Sequence, residues 1–236
     1  KGDGYKFAKN FNHTISDIRP SLCPIIVEEY IPSEMIGFTL KNVEISAKSQ
    51  HFSKKIFGDL EFLPNRLTGP IILTLSTLIN RIDEDISLSL DFKPALNYEK
   101  LNNRILREIS SLPNEDVRFL LKKLLPKEII EFFIKHIDID VSTKLNSFKK
   151  EDRNKLIKYL KEFKFHYVSL DDLDKAVVTS GGVNVDEINQ KSMESKLVSG
   201  LYFIGEIIDV DAQTGGYSLQ IALSTAYVAA EHIKSF

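Results

Sequence analysis

The sequence predicts an α+β chain, and three observations predict it. Apolar residues alternate with polar ones at period two between Ile25 and Phe92. The period turns helical between Asn97 and Phe163. After Phe165, short apolar runs end in glycine-rich turns and lead to a last apolar helix.

Taken in order, residues 4–12 have helical spacing that lets Tyr5, Phe7, Ala8 and Phe11 share a face. Pro20 and Pro24 bracket Ser21-Leu22-Cys23, an extended crossing, because proline restricts the residue before it. Phe38/Leu40, Val43/Ile45 and Ile86/Leu88/Leu90/Phe92 then recur every second residue, as in half-buried strands. One helix interrupts them, opening after Thr68-Gly69 with Pro70 at its first position and ending near Asn80. Residues 25–95 therefore read as a small β-rich barrel or sandwich.

Residues 96–165 read as a helical subdomain of four helices. Asn114 is placed to cap one of them, with Glu115 and Asp116 in its first turn and Lys122 and Lys123 in its last. Pro126 ends that helix and opens the next. Ile130, Phe133, Ile134 and Ile137 recur at i, i+3, i+4 and i+7, as do Leu156, Tyr159, Leu160 and Phe163. The stretch 96–166 holds 16 Lys and Arg against 11 Asp and Glu, so the remaining residues carry the net negative charge. Its densest run includes Lys149, Lys150, Arg153, Lys155, Lys158, Lys161 and Lys164. That run reads either as a solvated helix face or as a phosphate-contacting surface. In the last part, Ala176–Thr179 and Leu201–Ile204 read as buried strands, and Tyr217–Ile233 as a helix with Leu219, Leu223, Tyr227 and Ala230 in register.

Composition excludes several classes. The formal charge of −2 excludes strong whole-chain attraction to nucleic acid. A bilayer-spanning helix needs about 20 apolar residues, and runs such as Ile71-Ile72-Leu73 are far shorter. Cys23 is the single cysteine, which rules out an internal disulfide and fits a cytoplasmic setting. The five histidines show no pair at metal-ligand spacing, so no metal is expected.

The segment from Gly205 to Tyr217 is the most informative. An apolar run ends in Gly205, acidic residues Glu206, Asp209 and Asp211 follow, and Gly215-Gly216 opens the last helix. Free N–H groups and the positive dipole end at that helix start suit a partly negative oxygen. The glycine pair lets a flat ligand come close to the main chain, and the carboxylates can accept hydrogen bonds from a polyol. The alternative is a structural Gly-Gly turn in a non-enzymatic RNA- or protein-interaction module.

Three stretches carry a resemblance: GDGYKFAKNFNHTISDIRPSLCPI (residues 2–25), GDLEFLPNRLTGPIILTLS (58–76) and the run 176–230 containing TSGGV and GEIIDVDAQTGGY. Together they resemble the HI0933-like (YhiN-type) FAD-dependent oxidoreductases. The resemblance implies a Rossmann-like FAD-binding α/β domain in two parts, residues 1–24 and 166–236, carrying an inserted barrel-like domain (25–95) and a helical subdomain (96–165). It implies that Gly205 and Glu206 lie beside the flavin ribityl chain. The helix opened by Thr214, Gly215, Gly216 and Tyr217 would face the ring's pyrimidine edge, with Gly181, Gly182 and Val183 also near the ring and Asp209 a second polar candidate. It implies FAD as cofactor, hydride transfer through flavin N5, and a small amino-ketone or a ribosomal-RNA uridine as substrate. RNA contact would run through the basic helices. Catalytic side chains and oligomeric state are left open. Family members often carry Asn where this chain has Ser218. No G-x-G-x-x-G occurs, and the chain opens at Lys1 without Met. These two facts suggest a fragment lacking the pyrophosphate loop, expected to bind FAD weakly or not at all by itself.

Overall fold

A computed structural model describes residues 2–235. In chain order the elements begin with α1 (Asp3–Asn10), β1 (Arg19–Ser21), β2 (Ile25–Val27), β3 (Thr39–Lys48), β4 (Ser53–Leu63) and β5 (Arg66–Thr68). They continue with α2 (Pro70–Ile79), β6 (Ser87–Asp91), α3 (Tyr98–Ser111), α4 (Val117–Leu124) and α5 (Lys127–His136). The last are α6 (Lys150–Lys161), β7 (Phe163–Leu170), β8 (Val178–Ser180) and α7 (Tyr217–Ile233). The chain folds as two compact units, one of Lys1–Pro24, Ile72–Ile82 and Leu170–Phe236, the other of Ile25–Ile71 and Asp83–Ser169.

The second unit is built on a closed barrel in the strand order β2-β5-β4-β3-β6-β7. Ile45 of β3 sits opposite Ile56 on β4 and Leu90 on β6. Alternation turns Val43, Ile45, Ala47, Leu60, Phe62, Leu88 and Leu90 inward, and all are buried. Burying a side chain the size of Ile45 stabilises by about 1.5–3 kcal/mol. Strand β7 is the element that helical spacing had hidden. Phe163 closes the i, i+3, i+4, i+7 series of α6, yet it begins a strand that pairs with β6, Leu88 opposite Phe165. Its ring centroid lies 5.6 Å from Phe133 and 5.2 Å from Phe165.

Helices α3 to α6 belong to the same unit. Asn97 caps α3 by accepting from the Lys100 N–H at 2.8 Å. Asp116, rather than Asn114, caps α4 by accepting from the Phe119 N–H at 2.8 Å, because α4 starts at Val117 and the cap oxygen must reach the third N–H inside. The basic run on α6 is not uniform. Lys161 points inward, 2.5 Å from Asp91 Oδ2 with side chains only 9% and 12% exposed, and it also donates to the carbonyls of Lys93 and Leu96. Lys161 is thus a structural cation, not part of an outer phosphate-contacting face.

In the first unit β1 and β8 form a two-stranded antiparallel ribbon, Arg19 opposite Ser180. The small core holds Ala8, Val183, Ile188, Phe203 and Ile208. Only Ala8 of the expected α1 face is buried; Phe7 and Phe11 are exposed. Leu201–Ile204 forms no strand: Tyr202 makes a single bridge to Glu194, Ile204 is exposed, and Gly205–Ile207 turns as a 3-10 helix. Helix α7 has the expected limits, with Leu219, Leu223 and Tyr227 exposed. Among the described residues no helix is long and apolar enough to cross a membrane.

Candidate functional site

Val183 is the junction of the first unit. It bridges antiparallel to Ile15 and parallel to Ile208; its N–H donates to the Ile207 carbonyl at 2.8 Å and its carbonyl accepts from the Asp209 N–H at 3.0 Å. The crossing is so close that side chains are excluded at the two preceding positions. A Cβ on Gly182 would stand 2.4 Å from the Ile207 carbonyl oxygen, and one on Gly181 would stand 2.2 Å from that of Asp17. Gly181, Gly182 and Val183 are buried. Chain-to-chain contact alone accounts for both glycines.

Glu206 follows at the surface, after the buried Gly205 whose N–H donates to Thr225 Oγ1 at 2.9 Å. Glu206 Oε1 accepts from the N–H of Thr179 at 2.6 Å and from its Oγ1 at 3.1 Å. Asp209 Oδ1 lies 2.6 Å from Arg81 Nη2, and the same guanidinium reaches Ser180 Oγ. Arg81, in the segment after α2, therefore ties the end of β8 and the Asp209 segment together. Asp211 Oδ2 lies 3.0 Å from Ser21 Oγ.

The start of α7 is built differently. Gly216 is its N-cap in the left-handed region, φ 81°, with no side-chain cap, and a Cβ there would meet nothing within 4 Å. Gly215, Gly216 and Tyr217 are exposed, and Thr214 Oγ1 lies 3.1 Å from Thr74 Oγ1. A cleft of about 230 Å³ borders the helix, lined by Thr179, Glu206, Asp211, Ser218 and Ala222 among others. Ser218 Oγ is buried there without a hydrogen-bond partner among the described residues, a state that costs free energy unless something pairs with it. The structure thus gathers Glu206 at the cleft and leaves the Gly215–Tyr217 helix start exposed, while Gly181, Gly182, Val183 and Asp209 serve the fold beneath.

Comparison with known proteins gives the context. The family model described as HI0933-like protein Rossmann domain matches residues 1–232. The chain belongs to this family. A relative from Haemophilus influenzae (strain ATCC 51907 / DSM 11121 / KW20 / Rd) named "Ribosomal RNA dihydrouridine synthase" is 32% identical over 229 residues, 96% of this chain and 54% of that protein. A protein of the same name from Escherichia coli (strain K12) is 29% identical, over 98% of this chain and 56% of its own length. A "3-dehydro-bile acid delta(4,6)-reductase" from Clostridium scindens (strain ATCC 35704 / DSM 5676 / VPI 13733 / 19) is 23% identical, over 97% and 56%. The chain spans about half the length of the curated relatives it matches.

This HI0933-like chain also holds a polar network that sequence reasoning missed. His13 Nδ1 lies 2.9 Å from Glu187 Oε2, and His13 Nε2 lies 2.8 Å from Ser195 Oγ. Ser195 Oγ accepts the N–H groups of Leu197 and Val198, so its own proton goes to Nε2, and the histidine donates from Nδ1 to Glu187. Desolvation pushes the Glu187 carboxyl up, but hydrogen bonds from Thr14 and His13 outweigh it and hold the group below its ordinary value. With His13 and Ser195 both buried and the Ser195 oxygen saturated by backbone donors, the trio clasps remote segments together and is no nucleophile. The signal was spread over 174 and 182 residues of sequence separation.

Proposed function

We propose that the first unit is part of a FAD-binding domain of an oxidoreductase, and that the second unit, barrel and helices together, is its insert. The observation that carries this reading is the start of α7. An exposed helix N-terminus is capped by a glycine with open space, beside a cleft holding the orphaned Ser218 hydroxyl. These features fit the flat, partly anionic edge of a flavin ring. FAD, when bound, supplies hydride transfer through its N5 atom.

The protein's own groups then have distinct tasks. The first N–H groups of α7 stabilise negative charge on the pyrimidine edge, since no residue side chain caps them. Gly215 and Gly216 admit the ring, and Ser218 Oγ has a donor and acceptor to offer it. Glu206 holds Thr179 through Oε1, which leaves Oε2 for polyol hydroxyls. Asp209, tied to Arg81, holds the backbone on which Glu206 sits.

For the substrate, the reading favours a uridine in ribosomal RNA, because the two relatives at 32% and 29% identity carry that name. The bile-acid reductase relative favours a second reading, a small molecule such as an amino-ketone. The test is to purify the whole protein and the 236-residue chain in parallel and measure bound flavin by visible absorbance and release. The whole protein is expected to be yellow and the chain alone to hold little flavin. A colourless whole protein that FAD cannot reconstitute overturns the enzyme reading and leaves an interaction module.

A further inference from the structure

The outer face of the barrel carries aligned polar rows that the flavin reading does not use. The antiparallel register sets Lys55 of β4 beside Ser46 of β3, Ser46 beside Ser89 of β6, and Ser89 beside Lys164 of β7. The next row runs Ser53, Lys48, Ser87 and His166. At about 4.8 Å per strand, each row crosses roughly 14 Å. Small hydroxyls thus floor a groove of about 550 Å³ rimmed by lysines, with Tyr98 of α3 and its cap Asn97 on the wall. A second groove of about 460 Å³, bordered by His136, Lys155, Lys158 and Tyr159, shares Glu162 and Lys164 with the first. The two make one track through Lys164.

Charge along the track is sorted. Every carboxylate in it is already held within the unit: Glu44 by Lys55, Asp91 by Lys161, Glu29 by His166, and Glu162 by the Tyr98 hydroxyl. Lys48, Lys158 and Lys164 are exposed and have no anionic partner among the described residues. Ser46 is 7% exposed and its Oγ has no hydrogen-bond partner among the described residues. Tyr98 is 47% exposed, and its hydroxyl, 2.5 Å from Glu162 Oε1, fixes the ring at the groove wall.

We infer that this double groove binds a single-stranded segment of RNA, with backbone phosphates at Lys48, Lys164 and Lys158 and a base stacked on Tyr98. Unpaired lysines and serine hydroxyls recognise a phosphodiester; a track of two joined grooves suits a chain rather than a compact ligand. A fixed exposed ring offers the sequence-tolerant stacking that single strands use. The inference rests on the ribosomal-RNA reading of the substrate and adds where the strand is held.

The test is fluorescence anisotropy of the purified protein with a labelled ten-nucleotide single-stranded RNA, across a salt series. Three phosphate contacts predict a slope of log K against log salt of about −2. Lys48→Glu with Lys164→Glu is expected to weaken binding roughly tenfold or more and to flatten the slope by about 1 or more. Tyr98→Ala is expected to cost roughly fivefold or more, and Tyr98→Phe to keep the stacking. The control Lys149→Glu with Lys150→Glu, on the start of α6, leaves affinity unchanged. The variants' melting curves confirm that they fold. Binding that survives the groove variants but falls with the α6 control overturns the groove and leaves the RNA reading standing. Binding of polyglutamate with the same sensitivity to the variants makes this an acidic-peptide surface and overturns the inference. If the unaltered protein binds no RNA at 50 mM salt (about 14 Å of screening length), the inference falls, while bound flavin still decides the enzyme reading separately.

Discussion

Replacing Gly182 and Gly216 with alanine, one at a time, separates a glycine that the fold needs from one that a ligand needs. At Gly182 the new methyl carbon meets the Ile207 carbonyl oxygen at 2.4 Å, the Ile208 carbonyl carbon at 2.7 Å and the Asp209 nitrogen at 2.8 Å. All three are backbone atoms and cannot rotate away. Relief requires the 207–209 segment to move, which breaks the two hydrogen bonds to Val183, each worth about 1 kcal/mol net. The backbone sits at φ 149°, and an alanine held there adds about 1–3 kcal/mol. Together Gly182→Ala is expected to cost about 3–5 kcal/mol, or a fall in Tm on the order of 10 °C for a chain of this size. At Gly216, apart from the adjoining chain, no atom of the described residues lies within 4 Å of the added carbon, and the φ of 81° is what resists, at about 1–2 kcal/mol. Calorimetry or far-ultraviolet dichroism reads both melts, and visible absorbance of the whole protein reads flavin. Gly182→Ala should unfold early; Gly216→Ala should melt within a few degrees of the unaltered protein yet lose flavin. A Gly182→Ala protein as stable as the unaltered one would refute the crossing at Val183. A Gly216→Ala protein that melts as early as Gly182→Ala would refute the claim that Gly216 borders open space.

The other predictions follow from contacts already described. Lys161→Met leaves Asp91 buried without its cation and should destabilise by about 3–5 kcal/mol, whereas Lys149→Met, on an exposed side chain, should change stability by less than about 0.5 kcal/mol; chemical denaturation compares them. His13→Ala removes two hydrogen bonds from a buried cluster and should cost about 2–4 kcal/mol, read by the same method. Glu187 has its carboxyl lowered from an ordinary value of 4.5. Its contribution is therefore complete above that value and is lost as pH falls through the lowered one. The unaltered protein should lose stability on acidification below about pH 4.5, and Glu187→Gln should flatten that part of the profile. Leu223→Glu, on the exposed apolar side of α7, should lower dye binding and self-association of the 236-residue chain without lowering its melting temperature, because that side chain packs against little there.

The parts of the fold legible in the sequence were those whose own period decides them. Val43 and Ile45, and Leu88 and Leu90, alternate because one side of each strand meets the barrel interior; Pro70 starts α2 because the first helical N–H needs no partner. Phe163 satisfied two periods at once, so α6 concealed the onset of β7. Leu201–Ile204 is apolar enough for a strand, but its neighbours offer only the bridge at Tyr202; strand formation depends on a partner that the local sequence does not contain. The site divides in the same way. The Gly215–Tyr217 helix start was visible as a local pattern. That Gly181 and Gly182 yield to the approach of Asp17 and Ile207, and that Lys161 turns inward to Asp91, are facts of distant chain segments.

The seam of the barrel sets an order of assembly. Strand β2 leaves the first unit near Pro24, and the strand completing the ring, β7, lies some 140 residues later, where Glu29 accepts both the backbone N–H and the ring Nδ1 of His166. The ring therefore cannot shut during synthesis until β7 has emerged, while the hairpin of β3 and β4 and the four helices, whose contacts are nearer in sequence than that seam, can form ahead of it. Residues 72–82 wait longer still, since they belong with a unit that also takes in Leu170–Phe236. A nascent chain stalled just after α6 would hold helices and an open sheet with two bare edges, the state most exposed to strand-mediated misassembly. Closing the seam ends that exposure in one step.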